Sequence, residues 1–145
     1  MAGSTLFSGI ETPISGMAAE RLRMRVIAGN IANANTISDD GTPYQRKYVR
    51  FAEVLHGQLV GNKVEAGGGV RVDGVEVDQV TPHAQVYDPS HPAADGSGFV
   101  KRPNVDIMHE MVDMMIAKRS FGANIAAFRN YRAMLKEAIQ QIGVS

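Results

Sequence analysis

Residues 104–142, "NVDIMHEMVDMMIAKRSFGANIAAFRNYRAMLKEAIQQI", decide the fold. Apolar side chains recur in this stretch every seven residues, and a second set follows some of them by four residues. The first set is Ile107, Met114, Phe121, Phe128, Leu135 and Ile142, and the second set is Met111, Ile125 and Ile139. A heptad repeat of this kind is typical of a coiled-coil helix. The stretch therefore predicts a long C-terminal helix that begins near Asn104 and ends at Gly143.

A matching stripe near the N-terminus predicts a second helix. The residues Ile10, Met17, Met24 and Ile31 recur every seven positions. They are accompanied by Ile14, Ile27 and Ala34. Two apolar stripes with the same spacing favour two helices that pair. Thr12 and Pro13 fit an N-cap and a first helical residue, so we expect the regular helix to begin there. A break near Pro13 is the alternative.

The middle of the chain has a different character. In "GGGVRVDGVEVDQV" (67–80) valines alternate with polar residues, and "RKYVRFAEVL" (46–55) has two distinct faces, so both predict strands. The pair Asp73-Gly74 shifts the alternation, which predicts a hairpin turn or a bulge. We therefore expect an α+β fold with long N- and C-terminal helices that pair as a coiled-coil-like unit. The predicted regions are an N-terminal helix (1–35), a small β-rich middle domain (36–103) and a C-terminal helix (104–145).

Composition excludes several classes of function. The 15 basic and 15 acidic residues cancel, which disfavours nucleic acid as a partner. The absence of cysteine excludes a disulfide scaffold and thiolate metal sites. The first basic residue is Arg21, so we expect no conventional signal peptide. No apolar run approaches the roughly 20 residues of a membrane helix, so we expect no direct membrane insertion.

Two groups of side chains contain residue types that can form chemical sites. The first lies on one side of the C-terminal helix and has the spacing of carboxylate-bridged metal bundles: Asp106, His109, Glu110 and Asp113. Such a site needs carboxylates from other helices, and the N-terminal helix supplies only Glu11 and Glu20. A solvated or intersubunit polar face is therefore the favoured interpretation of this group.

The second group is a set of loop residues in the middle domain, His83, Asp88 and His91. Neighbouring prolines and the lack of a third histidine nearby favour a surface loop over a metal site. No serine stands in a nucleophile elbow, and no glycine run is followed by the lysine of a phosphate loop. We therefore expect no enzyme, no cofactor and no metal; a soluble hydrolase or metal enzyme with its site in the middle domain is the alternative.

The asparagines of "GNIANANT" (29–36) and two seam cations leave alternatives open. Asn33 or Asn35 can cap the helix, or Asn30 and Asn33 can also bond to adjacent subunits and fix their register. Lys118 and Arg132 stand where the seam should be apolar. Their stems can lie along the seam while their charges reach water, or they can meet acids on neighbouring chains.

Several stretches carry a family resemblance. "NIANANT" (30–36) resembles the asparagine-rich signature of bacterial flagellar rod and hook proteins, and "DGTPYQRKYVRF" (40–51), "GFVKRPNVD" (98–106), "EMVDMM" (110–115) and "RSFGAN" (119–124) resemble the short flagellar basal-body rod proteins. The resemblance implies a noncatalytic, structural subunit of the proximal rod, the drive shaft of the bacterial flagellum that crosses the periplasm. It also implies helical assembly with other copies and homologous rod subunits, with the paired terminal helices lining the inner tube, and export without cleavage through the flagellar type III apparatus.

Polymerisation through the terminal helices places the expected assembly interface on both stripes and on the asparagines. Its predicted residues are Met17, Met24, Ile27, Asn30, Ile31, Asn33, Ile107, Met111, Met114, Phe121, Ile125, Phe128, Leu135 and Ile139.

Overall fold

Two long helices stand at the ends of the chain. The computed structural model describes residues 3–53, 58–60, 63–65 and 69–142. The helices are α1 (Gly3–Ala32) and α2 (Ile107–Ile142). The strands among the described residues are β1 (Lys47–Glu53), β2 (Gln58–Val60), β3 (Lys63–Glu65), β4 (Val70–Val77), β5 (Gln85–Tyr87) and β6 (Phe99–Lys101). This arrangement confirms the predicted α+β fold class.

The described strands form three two-stranded sheets. β1 pairs with β4, β2 with β3, and β5 with β6. The β2–β3 and β5–β6 pairs are antiparallel. In the β5–β6 hairpin Val86 lies opposite Val100, and Val100 is buried. Each sheet is therefore a small ribbon that depends on packing against other elements for stability.

The N-terminal helix begins earlier than the sequence predicted. It starts at Gly3 and runs through Pro13 without a break, so both the start at Pro13 and a break there are wrong. A proline inside a helix removes one backbone hydrogen bond and normally costs about 3 kcal/mol. Pro13 is buried, and the hydroxyl of Ser15 donates to the carbonyl of Thr12 at 2.9 Å. Packing of the proline ring offsets part of the cost.

Strand β4 contradicts one of the two alternatives predicted at Asp73-Gly74, the hairpin turn. The strand is continuous from Val70 to Val77, so the pair does not form a hairpin turn. From Val72 onward the less exposed positions are Val72, Gly74 and Glu76, in strict alternation. The valines at 75 and 77 consequently lie on the more exposed side, because the pleat keeps its phase where the valine pattern shifts.

The chain divides into two compact units. The first comprises Met1–Leu22, Phe51–Asp73 and Ala117–Ser145, and the second comprises Arg23–Arg50 and Gly74–Ile116. The most buried apolar side chains of the first unit are Ala19 and Ala117, and those of the second are Ile27, Ala34 and Val100. None of the described helices is long and apolar enough to cross a membrane.

In the first unit the two helices approach closely at glycines of α1. A Cβ atom added at Gly9 would lie 2.5 Å from the ring of Tyr131, and one added at Gly16 would lie 2.8 Å from the amide of Asn124. The glycines are seven residues apart, and their partners are seven residues apart in the opposite direction. The helices are therefore antiparallel with a heptad register. In the second unit Asn30 and Glu110 continue the same steps of seven, and a hydrogen bond joins them.

The inward positions of α2 are not all those of the predicted seam. Met111 is 51% exposed and Ile139 is 69% exposed, whereas Glu110 and Ala117 are fully buried. At Glu110 the facing residue of α1 is the polar Asn30, so a polar side chain of α2 fits there. Lys118 also lies outside the seam, because it is exposed and follows the buried Ala117. Arg132 is exposed in the same way.

Candidate functional site

A buried polar cluster in the second unit is centred on Asn30. Its amide nitrogen donates to the carbonyl of Lys47 at 2.7 Å and to Glu110 Oε2 at 3.0 Å. Its amide oxygen accepts from the Lys47 backbone N–H at 2.9 Å and from the hydroxyl of Tyr44 at 3.1 Å. All four hydrogen-bonding positions of the amide are thus filled inside the chain. Asn30 ties α1 to both backbone groups of the first residue of β1.

Arg46 carries the charge that compensates the buried Glu110. Its Nε donates to Glu110 Oε1 at 2.6 Å, and its terminal nitrogens lie 3.8 Å from Asp78 and 3.6 Å from Asp113. Asp113 also pairs with Arg23 of α1 at 3.5 Å. A fully buried carboxylate is costly unless it is paired and hydrogen-bonded, and Glu110 meets both conditions.

The cluster also affects the tyrosine that contacts it. Burial raises the pKa of the Tyr44 hydroxyl, and the negative charge of Glu110 raises it further. The hydroxyl therefore stays protonated at neutral pH and acts as a hydrogen-bond donor to Asn30.

Asn104 fixes the same segment from the other side. Its amide oxygen accepts from the Arg46 backbone N–H at 2.7 Å, and its nitrogen donates to the carbonyls of Asp78 and Thr81 at 3.0 Å each. The backbone N–H of Asp78 in turn donates to the carbonyl of Arg46 at 2.8 Å. The Asp78 carboxylate accepts from the backbone and hydroxyl of Thr81, which lowers its pKa. The backbone at the start of β1 is therefore held by two side chains, those of Asn30 and Asn104, and by the backbone of Asp78.

Asn33 occupies the end of α1 and behaves as a cap. Its side-chain nitrogen donates to the carbonyl of Gly29 at 2.8 Å, and the N–H of Thr36 donates to the Asn33 carbonyl at 3.0 Å. The same carbonyl of Gly29 also accepts from the backbone N–H of Asn33 at 3.1 Å, so the side chain adds a second bond to it in the last turn of the helix. The two asparagines therefore have different intrachain roles, which the sequence pattern did not separate.

The polar face predicted on α2 is divided by the structure. Asp106 and His109 are exposed, and Asp106 accepts from the N–H groups of Met108 and His109 as an N-cap. Glu110 is fully buried, so the interpretation as a solvated or intersubunit face is wrong for this residue. Glu110 can be buried because Arg46, which directly precedes β1, pairs with it. The spacing of residues within α2 gives no information about a partner from another part of the chain.

The histidines of the middle domain make ordinary loop contacts. His83 Nδ1 lies 2.8 Å from the carbonyl of Arg102, and His91 Nδ1 accepts from the N–H of Ala93. The pKa of Asp88 is lowered chiefly by its hydrogen bond from the hydroxyl of Ser90. Within the described ranges, no group of three or more histidine, aspartate or glutamate side chains is placed to hold a metal ion.

An apolar stripe lies along the first turns of α2. We call it the α2 stripe; its residues and exposed fractions are Ile107 (40%), Met108 (70%), Met111 (51%), Val112 (48%), Met115 (63%) and Ile116 (48%). The spacing of one, three and four residues places them on one face of the helix. Glu110, Asp113 and Ala117 occupy the opposite face. Contiguous apolar surface of this kind marks a binding surface in soluble proteins.

The predicted interface residues fall into three groups in a single chain. Ile27 and Asn30 are buried, and Ile107, Met111 and Ile139 are exposed. The others are half-buried: Met17, Met24, Ile31, Asn33, Met114, Phe121, Ile125, Phe128 and Leu135. Sequence reasoning missed the intrachain network of Tyr44, Arg46, Asp78, Asn104 and Glu110.

Comparison with known proteins identifies the family. The family model described as "Flagella basal body rod protein" matches residues 10–37. The family model described as "Flagellar basal body rod FlgEFG protein C-terminal" matches residues 97–141. The flagellar basal-body rod protein FlgC of Bacillus subtilis strain 168 is 34% identical, with 94% of this chain and 97% of the relative covered. FlgC of Borreliella burgdorferi is 37% identical, with 92% and 95% covered. FlgC of Salmonella typhimurium is 39% identical, with 86% and 89% covered.

These relatives are named as rod proteins, which are structural components and not enzymes. The matched stretches contain the end of α1 with its asparagines and nearly all of α2. The chain therefore belongs to the FlgC family of flagellar basal-body rod proteins.

Proposed function

We propose that this chain is a structural subunit of the proximal rod that polymerises through its terminal helices with other copies and with homologous rod subunits. The observation that carries the proposal is the α2 stripe, whose six apolar side chains are each at least 40% exposed. Burying apolar surface stabilises an interface by roughly 25 cal/mol per Å². Neighbouring subunits in a helical tube would supply that cover.

The fourteen predicted interface residues remain part of this proposal. Ile107 and Met111 belong to the α2 stripe itself. The half-buried members retain exposed surface that a neighbour can cover. The predicted division into 1–35, 36–103 and 104–145 belongs here as well, with the two helical regions in the axial core of the rod and the middle domain outside it.

The proposal has two further parts. The chain is exported through the flagellar type III apparatus without a cleaved signal peptide, and its final position is in the rod where the rod crosses the periplasm. They are supported by membership of the rod family. Localisation of the exported subunit in fractionated cells tests both.

Substitutions in the α2 stripe test polymerisation directly. Met111→Glu and Met115→Glu place a charge on the exposed face, away from the buried Glu110 cluster. We expect the isolated subunit to stay folded while completed rods in basal-body preparations fall at least about tenfold, since 1.4 kcal/mol per contact already gives that factor. Gln79→Glu, at an exposed position of the middle domain, is the matched control. Wild-type rod counts in both methionine variants, with normal export, would contradict the proposal.

A further inference from the structure

A pocket of 270 Å³ lies in the first unit beside α1. Among the described residues its lining includes Thr12, Gly16 and Glu20 of α1, Phe51 and Val70 of the middle region, and Asn124 of α2. The walls thus combine apolar surface with one carboxylate and one amide. Phe51 is 37% exposed and Val70 is 38% exposed, so the apolar walls are open to a further group.

Among the described residues, the Glu20 side chain has one enclosed oxygen atom, Oε2, without a hydrogen-bond partner. The same heptad register that places Gly16 against Asn124 places Ser120 opposite Glu20. Lys118 and Arg119 are the basic residues of α2 closest to that point in sequence. Neither forms an ion pair with Glu20, and both are exposed.

The outer face of α2 in this unit carries the complementary charge. Between 117 and 142 the helix contains five basic residues and one acid, and all six are exposed: Lys118, Arg119, Arg129, Arg132, Lys136 and Glu137. A long basic side chain has an apolar stem and a cationic head. Those two parts match the apolar walls of the pocket and its carboxylate, respectively, and a guanidinium also bonds well to a carboxylate.

We propose that this pocket accepts a basic side chain of α2 from a second copy of the chain, drawn from Arg129, Arg132 and Lys136. The proposal rests on the polymerisation proposed above and names one specific contact within it. Charge complementarity decides the choice of partner, because each copy presents both the pocket with its Glu20 carboxyl group and the row of exposed basic side chains. The contact repeats from one copy to the next and so helps to set their spacing along the rod.

Cross-linking tests the contact, and the absence of cysteine from the chain removes background reaction. Glu20→Cys is combined in turn with Arg129→Cys, Arg132→Cys and Lys136→Cys, and basal bodies are treated with a short bis-maleimide. Within one chain, position 20 is opposite position 120, so Arg132 lies about 18 Å further along the helix and is out of reach. We expect species of twice the subunit mass at one or more of these pairs, at least about tenfold above a Glu11→Cys control with the same partners.

Charge reversal gives a second measurement. Glu20→Lys should reduce completed rods about tenfold. A subunit that carries Glu20→Lys together with all three reversals, Arg129→Glu, Arg132→Glu and Lys136→Glu, should restore the number of completed rods. Wild-type rod counts in Glu20→Lys alone would overturn the proposal.

The cross-linking result also separates this proposal from the one on which it rests. If Met111→Glu and Met115→Glu reduce completed rods while no Glu20→Cys pair cross-links, the pocket contact is overturned and polymerisation through the α2 stripe is intact. Wild-type rod counts in both methionine variants, together with no cross-link at any Glu20→Cys pair, would overturn both proposals. A Glu20→Cys product whose mass fits a different rod protein would overturn the second copy as the partner.

Discussion

Asn30 of α1 and Glu110 of α2 are joined by a hydrogen bond of 3.0 Å across 80 positions of the sequence, and both side chains are fully buried. The amide is suited to this position because it offers two donors and two lone pairs, and Lys47, Tyr44 and Glu110 use all four. An aspartate would set a second negative charge against Glu110. The pair therefore joins the two helices and the start of β1 in one network.

Asn30→Ala is expected to destabilise the subunit, although alanine is the better helix former. The substitution leaves both backbone groups of Lys47 and one oxygen of Glu110 without their partner. We expect a loss of about 3 kcal/mol in the free energy of unfolding, because each buried unsatisfied group costs about 1–3 kcal/mol. Urea denaturation of the purified subunit measures it.

Asn33→Ala is the matched control for that experiment. Its amide donates a single partly buried bond to the carbonyl of Gly29. We expect a loss of about 1 kcal/mol or less. If Asn30→Ala were as stable as the wild type while rod counts fell, the intersubunit role of Asn30 would be favoured over the intrachain one.

Arg46→Met should be among the most damaging single substitutions. It removes the cation that lies 2.6 Å from the fully buried Glu110, and breaking a buried pair from one side costs about 3–5 kcal/mol. The comparison is Arg50→Met, which removes an exposed partner of Glu76 and should cost about 1 kcal/mol or less. Equal losses in the two variants would show that Glu110 does not depend on Arg46 for its charge.

The start of α2 should contribute a pH-dependent part of the stability. The hydrogen bond and charge of Asp106 raise the pKa of His109. A raised pKa means that the protonated form is stabilised in the folded state, so the contribution is full below the unfolded pKa of about 6.5 and is lost as pH rises through the higher folded value. Stability of the wild type relative to His109→Gln should therefore fall between mildly acidic and mildly alkaline pH.

Urea denaturation at several pH values measures that difference, and His83→Gln serves as the control because its ring contacts a backbone carbonyl and not a carboxylate. An identical pH dependence in wild type and His109→Gln would remove the Asp106–His109 pair as its source. Asp106 has a lowered pKa, due first to the hydrogen bond with His109, so its own contribution is present above about pH 3.9 and is lost on acidification.

The sequence predicted the long helices and the existence of β1 and β4, because hydrophobic periodicity is a local signal. It did not predict the burial of Glu110, since glutamate is almost never fully buried unless it is paired. The pairing cation Arg46 is 64 positions away in sequence. Such a contact depends on how the middle region folds onto the helices, and no spacing within one element contains that information.

A second signal was present in the sequence but was made of small and polar residues. Gly9, Gly16 and Asn30 are separated by multiples of seven, and so are Tyr131, Asn124 and Glu110 in the opposite direction. A heptad made of small and polar residues is not detected when only apolar residues are counted. The continuation of α1 through Pro13 was unpredictable for a related reason: burial of the ring, which only the tertiary structure reveals, offsets the lost backbone hydrogen bond.

Alanine substitutions at helical glycines test that small-residue register. In an open helical position glycine to alanine stabilises by about 0.5–1 kcal/mol. At Gly9 and Gly16 the added Cβ would lie 2.5 Å from the Tyr131 ring and 2.8 Å from the Asn124 amide, so these side chains or the helix that carries them must shift. Overpacking of this kind costs about 1–3 kcal/mol, and we expect a net loss in both variants.

Gly29→Ala provides the control within the same helix, because nothing lies within 4 Å of the position of its added Cβ. We expect this variant to unfold at a higher urea concentration than the wild type, by about 0.5–1 kcal/mol in stability. The opposite signs at Gly16 and Gly29 distinguish close helix approach from helix propensity, which is the same at both sites. If Gly9→Ala and Gly16→Ala were stabilised as much as Gly29→Ala, the helices in solution would have to be further apart at these positions, and the heptad of small residues would not set their register.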